Sequence, residues 1–340
     1  MKAIRLDKPF DFHLIETAEP KGPMPDEIIA KVHRIGICGT DLHAFTGNQP
    51  FFSYPRILGH ELGVEILEKG SEVNHLQIGD KCTLEPYRNL TNDQAVRNGK
   101  PNCGEQIRVF GVHEDGGMQE YIKYKASNLH PSPLLDYDQL ALVEPLGIGF
   151  HAVNRAQLHA DDLVLVIGAG PIGLGTMEAV KLKGCKFIAM DINHERLEVC
   201  QKHLSPTACV LANQDQTEEA IREAFEGDLP TVIFDATGNK SSMENSLKYA
   251  AHGGKIVFIG LFQGEFSFHD PYFHKKELSL LASRNALASD FKEIIQHMES
   301  GKLDVSYWIS QVVDFEQMPQ LFPQWTQSPK GIIKSVLKFS

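Results

Sequence analysis

Residues 36–61 carry side chains that together could bind a metal ion. Cys38 stands between two glycines, and His60 and Glu61 follow as an adjacent pair. A thiolate, an imidazole and a carboxylate are ligand types that zinc accepts, and a catalytic zinc has three protein ligands and one open position. A buried cysteine beside polar loop residues is the simpler alternative. The segment around Cys38 and the pair His60-Glu61 together are more specific evidence for a metal site than either is alone. We therefore predict a catalytic zinc site.

Polar residues that could move a proton follow Cys38 directly. The hydroxyl of Thr40 can pass a proton on, and the imidazole of His43 can receive it near neutral pH. The structural alternatives are that Thr40 or Asp41 caps the helix that starts here and that His43 faces solvent. We prefer the relay for Thr40 and His43 and the structural role for Asp41.

A dinucleotide-binding pattern lies in the middle of the chain. A continuous apolar run at 163–167 feeds Gly168-Ala-Gly-Pro-Ile-Gly173 and then a helical segment. A glycine pattern alone is weak evidence, but a preceding strand, a following helix and a later acid are its expected context. Gly168 would allow a tight turn, Gly170 a close approach of pyrophosphate, and Gly173 close helix–strand packing. Pro171 and Ile172 complete the loop, where the helix N-terminus favours phosphate.

The acid after the second strand favours NAD over NADP. Asp191 is placed to bind the adenosine ribose hydroxyls, and its charge would repel a 2′-phosphate. Arg196 is the counter-argument, because an arginine can accommodate that phosphate. We prefer a solvated helix position for Arg196. A helix cap is the alternative role for Asp191.

The metal motifs resemble those of the zinc-dependent medium-chain alcohol and polyol dehydrogenases. That family has Gly-x-Cys-Gly-[Ser/Thr]-Asp-x-His followed downstream by Gly-His-Glu, and both stand here without gaps. One departure is local: Val64 takes the place of an expected glycine, and Gly63 lies one position early. The resemblance implies an α/β fold with a GroES-like β catalytic domain at 1–150 and 285–340 and a doubly wound, parallel-sheet Rossmann domain at 151–284. It also implies a homodimer or homotetramer that pairs strands near 278–282.

The resemblance supplies a further metal ligand. Glu144, in Val-Glu-Pro-Leu, matches a glutamate that contributes the third zinc ligand, or binds through water, in polyol and threonine dehydrogenases. Its alternative role is a carboxylate at a helix start, where the dipole favours it. We therefore expect Cys38, His60 and Glu144 as ligands, with Glu61 bound or exchanging into the site.

The polar loop at 87–104 indicates that a second, structural zinc is absent. Many relatives have four closely spaced cysteines here, and the aligned positions hold Leu90, Asp93, Val96 and Gly104. The single thiol of Cys103 cannot complete a tetrahedral site. We expect one zinc per chain and a lobe held by other contacts.

The substrate is inferred from resemblance to the bacterial sugar-acid branch, which includes L-galactonate and L-gulonate 5-dehydrogenases. The stretches that carry it are 47–56, 111–117 and 273–277. A sugar acid needs a cation for its carboxylate, and Arg284 matches a substrate-side arginine of polyol dehydrogenases. Asn48 and His113 are candidates for hydroxyl contacts. Solvent exposure is an equally acceptable interpretation of all three.

Composition limits the other classes of function. The chain has 340 residues, enough for about two domains, and a net charge of −11. An acidic chain without basic runs is a poor binder of nucleic acid or anionic membrane. The six cysteines include no Cys-x-x-Cys pair, which favours reduced thiols in the cytoplasm over a disulfide scaffold. No apolar signal core or membrane span is indicated.

These inferences converge on one leading function. Zinc as a Lewis acid would stabilise a secondary hydroxyl of the sugar acid as its alkoxide, which would pass a hydride to NAD. The nearest alternatives are a polyol, sugar-phosphate or L-threonine dehydrogenase. More distant ones are a zinc-free quinone oxidoreductase and a non-catalytic dinucleotide-binding protein. The intact ligand and relay residues argue against the last two.

Overall fold

The chain forms two compact units in the computed structural model, which describes residues 1–49, 52–212, 216–326 and 332–339. One unit comprises Met1–Pro145 with Leu287–Ser340, and the other comprises Leu146–Ala286. The boundaries predicted from the sequence, at 150 and 285, lie within a few residues of these divisions. The first unit is therefore discontinuous in sequence.

Strands make up most of the first unit and the centre of the second. In chain order they are β1 (Lys2–Lys8), β2 (Asp11–Glu16), β3 (Glu27–Gly36), β4 (Arg56–Ile57), β5 (Glu61–Lys69), β6 (Lys81–Leu84), β7 (Tyr87–Asn89), β8 (Ile107–Val109), β9 (Tyr121–Lys125), β10 (Leu129–Pro131), β11 (Leu163–Ile167), β12 (Lys186–Asp191), β13 (Ala208–Leu211), β14 (Val232–Asp235), β15 (Lys255–Phe258), β16 (Ser279–Ala282), β17 (Ile309–Asp314) and β18 (Lys334–Lys338).

Helices connect the strands and carry several candidate site residues at their first turns. They are α1 (Gly39–Phe45), α2 (Gln94–Arg97), α3 (Tyr137–Ala141), α4 (Val143–Ala156), α5 (Pro171–Leu182), α6 (His194–His203), α7 (Thr217–Ala224), α8 (Lys240–Tyr249), α9 (Asp270–Lys275), α10 (Ala288–Glu299) and α11 (Met318–Trp325).

The first unit is built around β3. Its main sheet has the order β10-β6-β5-β3-β18-β17, and β9 also pairs with β3. Apolar side chains of β3 and β5, including Ile28, Val32 and Ile66, are fully buried in the core of this unit. Strand β18 lies antiparallel to β3, so residues close to the C-terminus complete the sheet that begins near the N-terminus.

The predicted loop at 87–104 contains regular structure. Strand β7 pairs with β8, and helix α2 lies between these two strands in the chain. The carboxylate of Asp93 accepts hydrogen bonds from the amides of Ala95 and Val96 at 2.9 and 3.2 Å, and from Glu105 at 2.8 Å. A residue at an expected cysteine position thus organises the lobe by capping a helix. The absence of a structural zinc stays a prediction.

The second unit is a six-stranded parallel sheet of order β13-β12-β11-β14-β15-β16. This order is that of the doubly wound dinucleotide-binding fold, as the sequence predicts. Strand β11 reads Leu-Val-Leu-Val-Ile and is almost entirely buried, as expected for a central parallel strand. Within the described residues, every helix is too short or too polar to cross a lipid bilayer.

Candidate active site

The ends of two paired strands bring the first two clusters together. Cys38 follows β3, and Glu61 begins β5 directly after His60; the two strands are paired so that Gly36 lies opposite Glu61. The ligand atoms of Cys38, His60 and Glu61 all lie within 4.8 Å of one another. Across the described ranges, these residues form the one such group of three or more histidine, cysteine or acidic side chains.

Two glycines are required by close packing at this site. A Cβ atom at Gly36 would overlap the carboxylate of Glu61, and a Cβ at Gly63 would overlap the carbonyl oxygen of Tyr137. Gly63 therefore admits helix α3 against the start of β5. Its neighbour Val64 is fully buried in the core, so the departure from the family pattern leaves the strand intact.

Asp41 serves two purposes at the start of α1. One carboxylate oxygen accepts a hydrogen bond from the amide of Cys38 at 2.9 Å, which is the structural role the sequence favours. The other oxygen lies 4.0 Å from Nδ1 of His60, and neither of these buried atoms has a hydrogen-bond partner among the described residues. Asp41 is therefore also placed to orient the ring of His60, a contact of the kind that fixes metal-binding histidines. The sequence indicated the structural role of Asp41 but not its position beside His60.

Lys334 places a buried cation beside the metal group, which is the set of Cys38, His60 and Glu61. Its Nζ donates to both carboxylate oxygens of Glu61 at 2.7 Å and to the carbonyl of Ile37 at 3.1 Å. Burial alone would lower the pKa of Lys334, but the charges of Glu61 and Cys38 raise it above its ordinary value. The lysine is thus charged and balances part of the negative charge collected here.

Glu144 is buried and close enough to act electrostatically on His60, and its role as a metal ligand stays a prediction. Its Oε1 accepts a hydrogen bond from the hydroxyl of Tyr87, and it is not a member of the group formed by Cys38, His60 and Glu61. Burial raises the pKa of Glu144, and the charge of Glu61 raises it further.

The site fits a divalent cation. Burial lowers the pKa of His60, yet Cys38, Asp41 and Glu144 together raise it well above its ordinary value. The negative charges around His60 therefore favour a cation at this site. Cys38, His60 and Glu61 offer sulfur, nitrogen and oxygen, a donor set that suits zinc. When bound, zinc supplies Lewis-acid stabilisation of negative charge on a substrate oxygen.

The predicted relay and substrate residues of the first unit lie in two segments, α1 with the residues that follow it and the loop after β8. Thr40 is half-buried and His43 exposed, both in α1. Asn48 is exposed and closes the end of this helix, with its amide donating to His43 O at 2.8 Å. Nδ1 of His113 accepts a hydrogen bond from the amide of Val109 at 2.9 Å, which leaves Nε2 as its protonated nitrogen.

The three glycines of the dinucleotide pattern differ in their surroundings. Gly168 has φ +98°, a left-handed conformation that favours glycine. Gly170 caps α5 and has open space where a Cβ would stand, apart from Arg196 at 3.9 Å. A Cβ at Gly173 would overlap the carbonyl of Gly168, so helix and strand meet there at backbone distance. Pro171 occupies the first position of α5.

Asp191 is buried at the end of β12 and accepts hydrogen bonds from the loops that precede α5 and α6. One oxygen accepts from the amide of Ala169 at 2.6 Å, and the other from Asn193 at 2.8 Å. The cap of α6 is Asn193, so the helix-cap alternative for Asp191 is wrong. Arg196 is exposed, and its nearest guanidinium nitrogen lies 3.9 Å from Asp191.

The remaining predicted residues are more peripheral. Ile172 is half-buried in the first turn of α5, and Arg284 is exposed just beyond β16. Sequence reasoning missed Lys334 and Tyr87. A lysine near the start of a strand and a tyrosine after Glu-Pro carry no local signal, because their importance comes from long-range strand pairing.

Comparison with known proteins identifies the family. A family model described as alcohol dehydrogenase GroES-like domain matches residues 24–134, and one described as zinc-binding dehydrogenase matches 171–300. L-galactonate-5-dehydrogenase of Escherichia coli K12 is 38% identical over 317 residues, which is 93% of each chain. This chain therefore belongs to the zinc-dependent medium-chain alcohol and polyol dehydrogenases, oxidoreductases that act on CH–OH groups.

Solved structures agree with this assignment. The alcohol dehydrogenase rspB of E. coli CFT073, complexed with NADH, is 30% identical with a TM-score of 0.92, over 100% of this chain and 99% of that one. A zinc-binding dehydrogenase of Sinorhizobium meliloti 1021, bound to NADP, is 26% identical with a TM-score of 0.91, over 99% and 98%. Both nicotinamide cofactors thus occur among these neighbours.

Proposed function

We propose that this protein oxidises a secondary hydroxyl of a sugar acid, of the L-galactonate or L-gulonate type, with zinc and NAD. The observation that carries the chemistry is the group of half-buried Cys38 with buried His60 and Glu61 in a chain of this family. The substrate class is supported by the 38% identity to L-galactonate-5-dehydrogenase across nearly the full length of both chains.

In the first unit, one set of residues would bind the metal and another would transfer the released proton. Cys38, His60 and Glu61 would hold the metal, and Asp41 would orient His60. A polar path for the released proton runs along α1 in this proposal, from the Thr40 hydroxyl to the exposed imidazole of His43. Since His43 is in contact with solvent, a proton that reaches it can pass to water.

Substrate selection needs groups that bind a carboxylate and several hydroxyls. Arg284 is our candidate for the carboxylate, because guanidinium binds carboxylates in a bidentate manner. Asn48 and His113 are our candidates for the hydroxyls. The protonated Nε2 of His113 can donate a hydrogen bond to a substrate oxygen.

NAD is the proposed cofactor because of Asp191. Its carboxylate, buried at the strand end, would accept from ribose hydroxyls and repel a 2′-phosphate. Arg196 is exposed on the next helix, within 4 Å of Asp191, where it partly offsets that charge. The Asp191 carboxylate is bonded directly to the glycine-rich loop at the amide of Ala169, whereas Arg196 is exposed to solvent. We therefore expect NAD to be preferred over NADP.

We also propose a homo-oligomer in the cytoplasm. Strand β16 ends its sheet, and two of its four residues, Ser279 and Ala282, are exposed, so its outer edge is available to the same strand of a second copy. All six cysteines are free, which supports a reducing compartment.

The test is an initial-rate screen of stereoisomeric hexonates, each with NAD and with NADP. We expect turnover of one or more hexonates with NAD and a much lower kcat/KM for sorbitol and L-threonine. Turnover of sorbitol or threonine without any hexonate would reject the sugar-acid substrate and retain the dehydrogenase.

A further inference from the structure

An aspartate at the end of β14 organises the turn that follows this strand in the second unit. Asp235 is fully buried. One of its carboxylate oxygens accepts hydrogen bonds from the amide and the hydroxyl of Thr237 at 2.9 and 2.6 Å, and the other accepts from the hydroxyl of Ser242 at 2.6 Å. A buried acid that is bonded to three donors holds the turn in one conformation.

The turn held by Asp235 lies against the glycine-rich loop. The hydroxyl of Thr237 donates to Asp235 and accepts from the amide of Asn239 at 3.1 Å, so this group is committed to the turn. The methyl carbon of Thr237 is turned toward Gly168, and it lies 3.2 Å from the place where a Cβ of that glycine would stand. The bond to Asp235 thus sets how closely the turn approaches the loop.

The order of the sheet places this turn beside the expected ligand crevice. Strand β11 pairs with β12 on one side and with β14 on the other, and the chain runs from β12 outward to β13 before it returns to β14. Ligands of doubly wound sheets bind outside the carboxyl ends of the strands at such a reversal. With Asp191 of β12 on the adenosine side, the turn after β14 is on the side left for the nicotinamide half.

We propose that Asp235 is a positioning residue for the cofactor. Through the hydroxyl of Thr237 it fixes the turn after β14 as a preformed wall for the nicotinamide half of the dinucleotide. Thr237 itself is exposed and thus within reach of a ligand that occupies the crevice. A wall that is already in place spares the binding step the cost of ordering it. The inference rests on the proposed use of NAD, but not on the identity of the substrate.

The experiment measures binding to the full-length, zinc-loaded protein by calorimetry, with NADH and with AMP as separate ligands. AMP carries the adenosine half alone. Thr237→Val keeps the shape of the side chain and removes the hydroxyl, so the turn spends part of its time in other conformations. We expect Kd for NADH to rise about tenfold, which is the worth of a hydrogen bond to a charged acceptor, and Kd for AMP to stay unchanged.

Thr237→Ser separates positioning from direct contact. Serine keeps the hydroxyl that Asp235 holds and loses the methyl carbon, so its affinity for NADH should stay close to that of the wild type. An equal loss of NADH affinity in Thr237→Ser and Thr237→Val would show that the methyl contact matters instead, and it would overturn the inference. Equal losses for NADH and AMP in Thr237→Val would also overturn it.

Thr231→Val is the matched control at the other end of β14. Thr231 precedes this strand, and its hydroxyl donates to Asp162 at 2.6 Å, the same distance as between Thr237 and Asp235. It lies at the amino ends of the parallel strands, away from the edge where ligands of this fold bind. Its loss should leave Kd unchanged for both ligands. A rise for NADH equal to that in Thr237→Val would contradict the proposed role.

The two ligands also separate this inference from the proposed function. A loss of NADH affinity confined to Thr237→Val supports the inference even if the enzyme turns over no hexonate. Unchanged NADH binding in Thr237→Val overturns the inference and leaves the proposed cofactor in place. A wild-type protein that binds neither NADH nor AMP would overturn both.

Discussion

Lys334 and Glu61 are 273 residues apart in sequence and form a two-bond ion pair inside the first unit. The side chains are 2% and 1% exposed. Strand β18 makes the contact possible, because it pairs with β3 on the side opposite β5. A residue from the last strand thus neutralises a carboxylate of the candidate metal site from the first third of the chain.

Lys334→Met should strongly destabilise the first unit. Breaking a buried pair leaves Glu61 charged without its partner, at a cost of about 3–5 kcal/mol. Lys338→Met is the control on the same strand, since its pair with Asp314 is exposed and worth about 0–1 kcal/mol. Urea unfolding of the metal-free protein measures both, because a bound zinc would give Glu61 another counter-charge. Equal losses in the two variants would contradict the importance of the buried pair.

Cys38→Ser should lose zinc and turnover together, because it removes the sulfur ligand. Cys103→Ser, at an exposed thiol in the lobe, should retain both. Elemental analysis of the wild-type protein should find about one zinc per chain, as a single catalytic site implies. A second zinc that Cys103→Ser removes would refute our interpretation of the lobe.

Asp191→Asn should weaken NAD binding and narrow the preference over NADP. A hydrogen bond to a charged acceptor contributes about 1.5–3 kcal/mol, so KM for NAD should rise about tenfold or more. Initial rates with each cofactor give the result. Arg196→Gln is the companion variant, and we expect it to lower the residual activity with NADP. A preference for NADP in the wild-type enzyme would reverse our assignment.

Thiol reactivity should follow burial and pKa. Burial raises the pKa of Cys82 and of Cys200 to about 12, so at pH 8 both are almost wholly protonated and unreactive. The thiolate fraction grows as pH approaches 12, so any reaction of these two residues in the folded protein must accelerate at high pH. Alkylation at pH 8 followed by peptide mapping should label Cys103 first. Early labelling of Cys82 would show that its strand opens.

The glycine-rich loop and its strand could be predicted because their signals are local. The apolar run of β11, the three glycines and Asp191 lie within a short span, and each constrains backbone geometry by itself. Elements with weaker patterns were missed, among them β13, α6, α7, β17 and α11. Strand β13 has four residues and is only partly buried, so its hydrophobic pattern is too short to detect.

The metal group was only partly predictable. Cys38 and His60 stand in recognisable motifs, but the hydrogen-bond partners of Glu61 and Glu144 depend on where two separate strands place Lys334 and Tyr87. No spacing rule contains that information. The double use of Asp41 was hidden for the same reason, since a helix cap accounts for its sequence position completely.

The discontinuous first unit has a consequence for synthesis on the ribosome. While residues 1–145 and the whole second unit emerge, β3 lacks the neighbour that β18 later provides, and Glu61 lacks its counter-charge. Domains begin to fold as they are made, N-terminal parts first. A nascent chain therefore holds an open sheet edge and an unbalanced acid until β18 has left the ribosome, and the finished metal pocket is a late product of that process.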